Sequence, residues 1–185
     1  MLRFLCKIYL RIGGWRSVGT FLPSLKKAIV IVAPHTSSND VIVCLAFRKV
    51  LKLERIKFLG KEELFKPPFG FIFRRLGGIP VDRFHHSGFV GQVVQLFYNN
   101  ETFIVGLSPE GTRKKIDRLR TGFYHIAKTA GVPIVMLGLD FANKQLVFAA
   151  PFYPSNDEVA DFKHILQFFG PIKGKYPELG VGHLL

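Results

Sequence analysis

Acidic residues are scarce in this chain. Its 185 residues hold 13 Asp and Glu against 26 Lys and Arg, a net charge of +13. The first acidic residue is Asp40, after six basic ones. An excess of one sign on this scale points to an anionic partner: nucleic acid, an anionic membrane or an acidic carrier protein. Cysteine is also rare, at two (Cys6 and Cys44), which excludes a disulfide scaffold and suits free thiols in a reducing compartment. Long apolar runs are missing. The longest, Val41 to Phe47, ends in Arg48-Lys49 and falls far short of the roughly 18–20 residues of a membrane span. Charges interrupt any signal-peptide core near the N-terminus. No G-x-S-x-G elbow, P-loop or G-x-G-x-x-G is present, which removes the common serine-hydrolase, nucleotide-triphosphate and dinucleotide signatures. Nor is there an internal repeat, a linker or a low-complexity segment.

What is abundant is apolar. Hydrophobic residues make up 48% of the chain, enough for a full core at this length, and phenylalanine reaches 19. Such a surplus fills a core or lines a lipid pocket, and composition does not separate the two. One domain spanning 1–185 is expected, with a basic segment 1–27 before a core 28–140.

Residues 1–16 read as an amphipathic helix. Arg3, Lys7 and Arg11 fall on one face, and Leu5, Ile8, Tyr9, Ile12 and Trp15 on the other. That is the pattern of an interfacial helix on a lipid surface, or of a helix docked on the domain with its charges solvated. Apolar runs predict strands at 28–33, 55–59, 79–81, 102–107, 132–139 and 145–150. Periodicity predicts helices at 39–51, 69–76, 88–98 and 121–130, with a helical stretch at 61–66 ended by Pro67-Pro68. Thr36, Ser37 or Ser38 caps the helix from 39, which is apolar on most sides and expected to be central. A capping box of Ser155 and Glu158 starts a last helix, to about Phe169, and the tail after Gly170 is irregular. The alternation argues for an α/β domain with a largely parallel sheet flanked by helices.

Two stretches carry chemistry. His35-Thr36-Ser37-Ser38-Asn39-Asp40 sets a histidine five positions before a carboxylate. On a continuous helix the two would lie about 140° apart and would not meet well. With His35 in the turn before the helix and Asp40 in its first turn, the imidazole folds back onto the carboxylate. One ring nitrogen then serves as base while Asp40 orients the other. A capping histidine beside an ordinary first-turn aspartate gives the same spacing, so this stretch is weak alone. Ser108-Pro109-Glu110-Gly111-Thr112-Arg113 also follows an apolar strand, where parallel sheets hold ligands. Gly111 permits close backbone approach, and Arg113 grips phosphate in a fork, with Lys114 and Lys115 adding charge. Glu110 either holds Arg113 or touches a substrate. An ordinary Pro-Glu-Gly turn with surface lysines is the plainer reading of this stretch alone.

Between and beyond these stretches come Gly60-Lys61-Glu62-Glu63-Leu64-Phe65, Gly77-Gly78-Ile79-Pro80-Val81-Asp82-Arg83 and Val132-Pro133-Ile134-Val135. The order resembles the motif blocks of the lysophospholipid (1-acyl-glycerol-3-phosphate) acyltransferase family, over roughly residues 28–140. The resemblance implies His35 as general base and Asp40 as its orienting carboxylate. It implies Glu110, Gly111, Thr112 and Arg113 as the acceptor-phosphate block, Arg83 as a further acceptor contact and Lys61 as a weaker one. It implies an α/β fold with a tunnel for the acyl chain, and no metal or cofactor. Acyl-CoA or acyl-carrier protein would be the co-substrate, and a lysophospholipid the acceptor. Two departures from the family stand out: Ser108 where a Phe is frequent, and Asn39 and Val41 flanking Asp40 where an aromatic is frequent. They bear on the acceptor, for which an ornithine lipid is an alternative. The expected setting is peripheral, on anionic lipid at the cytoplasmic face of a membrane. A thioesterase using the same base on water is a rival. A nucleic-acid module is another, and it lacks the basic residues interleaved with exposed aromatics that it would need.

Overall fold

The structure, a computed structural model, describes residues 1–81 and 88–185. In chain order its elements are α1 (Leu2–Ile12), β1 (Arg16–Val18), β2 (Lys27–Ala33), α2 (Asn39–Val50), β3 (Ile56–Lys61), a 3-10 turn (Glu62–Phe65), α3 (Gly70–Arg75), β4 (Gly78–Val81), α4 (Gly88–Asn99), β5 (Phe103–Leu107), α5 (Gly122–Ala130), β6 (Ile134–Asp140), β7 (Gln145–Phe148) and α6 (Glu158–Phe169). The strands form one seven-stranded sheet in the order β1-β7-β6-β2-β5-β3-β4. From β6 to β4 every pairing is parallel; β7 joins β6 as an antiparallel hairpin, and β1 runs parallel to β7. This is the α/β class that the alternation predicts.

β2 sits at the centre because its residues are apolar on both sides. Ile29 and Ile31 face one core, with α4 and α5 residues such as Val93, Phe97, Phe123 and Ile126. Ala28 and Val30 face the other, with Leu10 of α1 and Val43, Ala46 and Phe47 of α2. A strand covered on both faces reads as a continuous apolar run, as 28–33 does. The crossovers β2→β3 and β3→β4 step the same way along the sheet. Right-handed connection therefore puts α2 and α3 on one face, and the return crossover β4→β5 puts α4 on the other. Arg48 of α2 ties this first face together, donating to the carbonyls of Ile56 (2.9 Å) and Leu76 (2.9 Å).

Several sequence expectations are corrected. The first helix ends at Ile12 rather than 16, because Gly13-Gly14 releases it and Gly14 takes φ +71°. Trp15 then turns inward against Phe141 (4.9 Å between centroids) and Phe47 (6.1 Å), so it leaves the apolar row that spacing assigns it. The short β1 carries only exposed residues and gives no apolar signal. The helix at 39 is not enclosed: Val41 and Ile42 are exposed. The 61–66 stretch divides between the end of β3 and the 3-10 turn. The last helix is capped by Asp157, whose carboxylate accepts from Ala160 N–H (3.0 Å), so Ser155 and Glu158 form no capping box. Arg83, Asp82 and the pair His85-His86 lie outside the described residues.

α3 starts against the domain through a close backbone approach. A Cβ on Gly70 would collide with the Phe65 carbonyl oxygen, so only glycine lets the helix start against that backbone. Gly70→Ala is expected to lower stability by about 1–3 kcal/mol, the usual cost of forcing an extra carbon into a packed contact. Chemical denaturation followed by circular dichroism measures it, and an unchanged midpoint would show that the helix start can move.

Candidate functional site

The site is built on the turns that follow β2 and β5, two strands paired side by side and parallel, so both turns leave the same sheet edge. After β2, Pro34 ends the ladder and His35 to Ser38 form the turn into α2. Asp40, only 2% exposed, folds back from the first turn of that helix. Its Oδ2 accepts from Thr36 N–H (2.8 Å) and Ser37 N–H (2.8 Å), and lies 3.0 Å from His35 Nδ1. None of the three hydroxyl residues caps the helix through its N-cap side chain. Ser37 Oγ instead accepts from Asn39 N–H (3.2 Å), and the carboxylate serves the N–H groups of the turn before the helix. Oδ1 of Asp40 is buried without a partner among the described residues.

The His35 side chain keeps 26% of its surface, and no described residue bonds its Nε2. The pair therefore has one nitrogen fixed against a carboxylate and the other turned to open space. Cys44, one turn along α2 from Asp40, offers no competing nucleophile. Enclosure and then the nearby Asp40 charge push its thiol up to about 12.

After β5, Glu110 is 2% exposed and turned away from solvent. Its Oε2 accepts from the His35 backbone N–H (2.7 Å) and from the Ser108 hydroxyl (3.0 Å), and Ser108 Oγ accepts from Glu110 N–H (3.3 Å). Glu110 thus holds the His35 turn rather than Arg113, against the first of the two sequence alternatives. Its role in the geometry is to bind the His35 turn to the β5 turn. Arg113 instead donates through Nη1 to Ser38 Oγ, the residue two before Asp40. Gly111 has φ +65°, and a Cβ there would stand 2.5 Å from Arg120 Nε, so a second guanidinium lies over the turn. Lys114 and Lys115 are exposed beside it. Thr112 Oγ1 accepts from Lys114 N–H (3.3 Å). Lys61 ends β3 at the same edge.

Three residues of this arrangement carried no sequence signal for their role here. Ser38 reads in sequence only as a candidate cap and Ser108 only as a departure from the family pattern, and neither reading gives the contact it makes. Arg120 lies seven positions beyond Arg113, and only its approach to Gly111 identifies it. The tail also enters the site: Tyr176 N–H donates to Thr36 Oγ1 (3.2 Å) across 140 residues, and Gly174 packs against that threonine. No cluster of three or more metal-ligating side chains occurs among the described residues.

A base held by a buried carboxylate, beside a cationic turn on a parallel sheet edge, suits group transfer to or from an anionic substrate. Comparison with known proteins gives the class. The acyltransferase family model matches residues 16–139, and the chain belongs to that family. It is an acyltransferase. Among solved structures it is similar to the 1-acyl-sn-glycerophosphate (LPA) acyltransferase PlsC from Thermotoga maritima, with TM-score 0.55 and 15% identity over 90% of this chain and 76% of that one. At that identity the likeness speaks for the fold. Among curated proteins no match is found.

Burial raises the Glu110 carboxyl above its ordinary 4.5, against the lowering effect of the His35 and Ser108 hydrogen bonds. A carboxyl with a raised folded value binds more protons folded than unfolded, so its ionisation costs stability as pH rises. Wild type is therefore expected to lose stability relative to Glu110→Gln as pH climbs from about 4.5 through the raised value, because the amide oxygen still accepts from His35 N–H. Urea unfolding across pH 4–8 checks it, and parallel curves for the two proteins would refute it.

Proposed function

We propose that this enzyme transfers a fatty acyl group from a thioester, on CoA or a carrier protein, to the hydroxyl of a lysophospholipid such as 1-acyl-glycerol-3-phosphate. The observation that carries the reading is the joining of two turns. His35 and Asp40 lie 3.0 Å apart on one, and the Glu110–Arg113 turn is bonded directly to it through His35 N–H and Ser38. The family membership supplies the acyl chemistry, and the PlsC neighbour, described as an LPA acyltransferase, supports a glycerolipid acceptor.

In this mechanism His35 Nε2 takes the proton of the acceptor hydroxyl, while Asp40 holds Nδ1 and stabilises the imidazolium that forms. The acceptor oxygen forms its bond to the thioester carbonyl carbon, giving a tetrahedral oxyanion. The C–S bond then breaks, and the leaving thiolate takes the proton from His35 as thiol. Arg113, with Arg120, Lys114 and Lys115 around Gly111, grips the acceptor phosphate and sets its hydroxyl against His35. Arg83 and Lys61 are further acceptor contacts in this reading. No metal or cofactor takes part.

The setting is a membrane surface. Among the described residues no helix is long and apolar enough to cross a membrane. α1, however, is docked with its less apolar side inward. Leu10 is buried and Arg3 donates to the Val50 carbonyl at the end of α2 (3.2 and 3.0 Å). Leu5, Ile8, Tyr9 and Ile12 point outward, Ile12 at 83% exposure. An apolar row turned to solvent and flanked by Lys7 and Arg11 suits the interface of an anionic bilayer, where both substrates keep their chains.

His35→Ala is expected to reduce transfer by about 10²–10⁴-fold with the fold intact, and Asp40→Asn to lose much of the same. Mass spectrometry of labelled acyl product, over a panel of lyso-acceptors including lyso-ornithine lipid and a no-acceptor control, measures this. Wild-type turnover in folded His35→Ala would end the mechanism, and equal release without acceptor would make the enzyme a thioesterase.

Arg113→Ala is expected to raise KM for a phosphate-bearing acceptor about tenfold or more, and KM for the acyl thioester little, because a guanidinium fork matches phosphate. Steady-state kinetics with each substrate varied decides it. Equal effects on both would remove Arg113 from the acceptor site.

A further inference from the structure

We propose that α3 is a second membrane-contact element, seating the same face of the sheet on anionic lipid as α1 does. The inference rests on the interfacial reading above and extends it to a segment that the amphipathic N-terminus does not include.

The motivation is an inverted short helix. On its inner side Gly70 is pressed against the Phe65 carbonyl, and Phe73 packs edge-on to the buried Phe65 ring (6.1 Å). That leaves Phe69 at 64% exposure, Phe71 at 67% and Ile72 at 41%. Lys66, Arg74 and Arg75 are exposed around them, against two exposed carboxylates in the preceding turn, Glu62 and Glu63. Phenylalanines this exposed gain little from folding, and two at the start of one short helix form a patch that only a partner covers.

Position and charge select the partner. α3 follows the C-terminal end of β3, at the edge that holds His35 and the Glu110–Arg113 turn. It lies on the α2 face of the sheet, tied to α2 through Arg48 and the Leu76 carbonyl. The outward row of α1 and the exposed Val41 and Ile42 of α2 share that face. A broad apolar band beside the candidate catalytic edge fits a bilayer that contacts several helices at once. A net charge of +13 opposes a second copy of the chain on the same face and favours anionic lipid. Aromatic side chains with basic neighbours are the residue types that insert at the headgroup boundary.

The test uses the full chain and vesicles of phosphatidylcholine with and without phosphatidylglycerol. Phe69→Ser/Phe71→Ser is expected to lower partition onto the mixed vesicles about tenfold or more, the scale set by losing partial burial of two large apolar side chains. Its thermal melt and its turnover on a dispersed short-chain acceptor should stay at wild-type level. Lys7→Glu/Arg11→Glu, which leaves the docked Arg3 in place, should weaken the same partition, and the combined variant should weaken it further. As a second readout, Phe71→Trp in a Trp15→Phe background should show a blue shift and quenching by lipid-borne quenchers. Unchanged partition of the serine variant, or unshifted emission from the introduced tryptophan with vesicles bound, overturns the proposal. So does loss of binding to an acidic acyl-carrier protein with vesicle binding intact, which would make the carrier the occupant. Wild type that binds vesicles but transfers no acyl group sinks the proposed function and leaves the membrane contact standing.

Discussion

One carboxylate oxygen organises the candidate active site. Oδ2 of Asp40 gathers three groups within 3.0 Å: the His35 ring and the backbone N–H groups of Thr36 and Ser37. The two backbone bonds curl the 35–38 turn over the start of α2, and the curl brings the imidazole within reach. The helix N-terminus adds a partial positive charge beside that oxygen. A neutral amide oxygen would hold the same donors more weakly and would stabilise an imidazolium less. The turn conformation and the histidine orientation therefore have one cause, and spacing along the chain has meaning only through it.

The remaining contacts fasten that turn to the rest of the sheet. Glu110 reaches from the β5 turn to His35 N–H, Arg113 reaches to Ser38, and Tyr176 donates to Thr36 from the tail. Each joins segments at least 75 residues apart, so the turn is held from two sides. Desolvation of Glu110 works against the ionised form, and the His35 and Ser108 bonds offset part of it. An acceptor oxygen at this position keeps the His35 N–H from being buried unpaired.

Much of the fold was legible because its signals are local. Continuous apolar runs marked β2, β5 and β6, and glycine and proline marked the ends at Gly131 and Pro34. The errors arose where a side chain answers to a distant neighbour. Trp15 fits the α1 apolar row by spacing, yet Phe47 and Phe141 draw it inward once Gly13-Gly14 has broken the helix. Ser155 and Glu158 match a capping pattern, but Asp157 sits one residue before the helix and takes the N–H. β1 exists only by pairing with β7. At the site, the meeting of His35 and Asp40 was readable from a turn followed by a helix start. The direction of Glu110 was not, because its partner is a backbone N–H 75 residues away. Ser108, visible in sequence only as a departure from the family pattern, acquires a role through Glu110.

The two faces of the sheet also answer a question that composition leaves open. Nineteen phenylalanines fill a core or meet a lipid. On the α4–α5 face they are inside: Phe97, Phe103, Phe123 and Phe169 are buried. On the α1–α3 face Phe21, Phe47 and Phe148 are likewise buried, while Phe4, Phe69 and Phe71 stand exposed. The same residue type thus does both kinds of work on that face, and it is α1 and the start of α3 that expose it. A water-soluble partner would be met by any surface of a chain this basic. In the proposed reading, the apolar residues exposed on α1, α2 and α3 would orient the molecule on a bilayer as well as attract it. Such an orientation suits the proposed transfer, in which donor and acceptor both carry acyl chains.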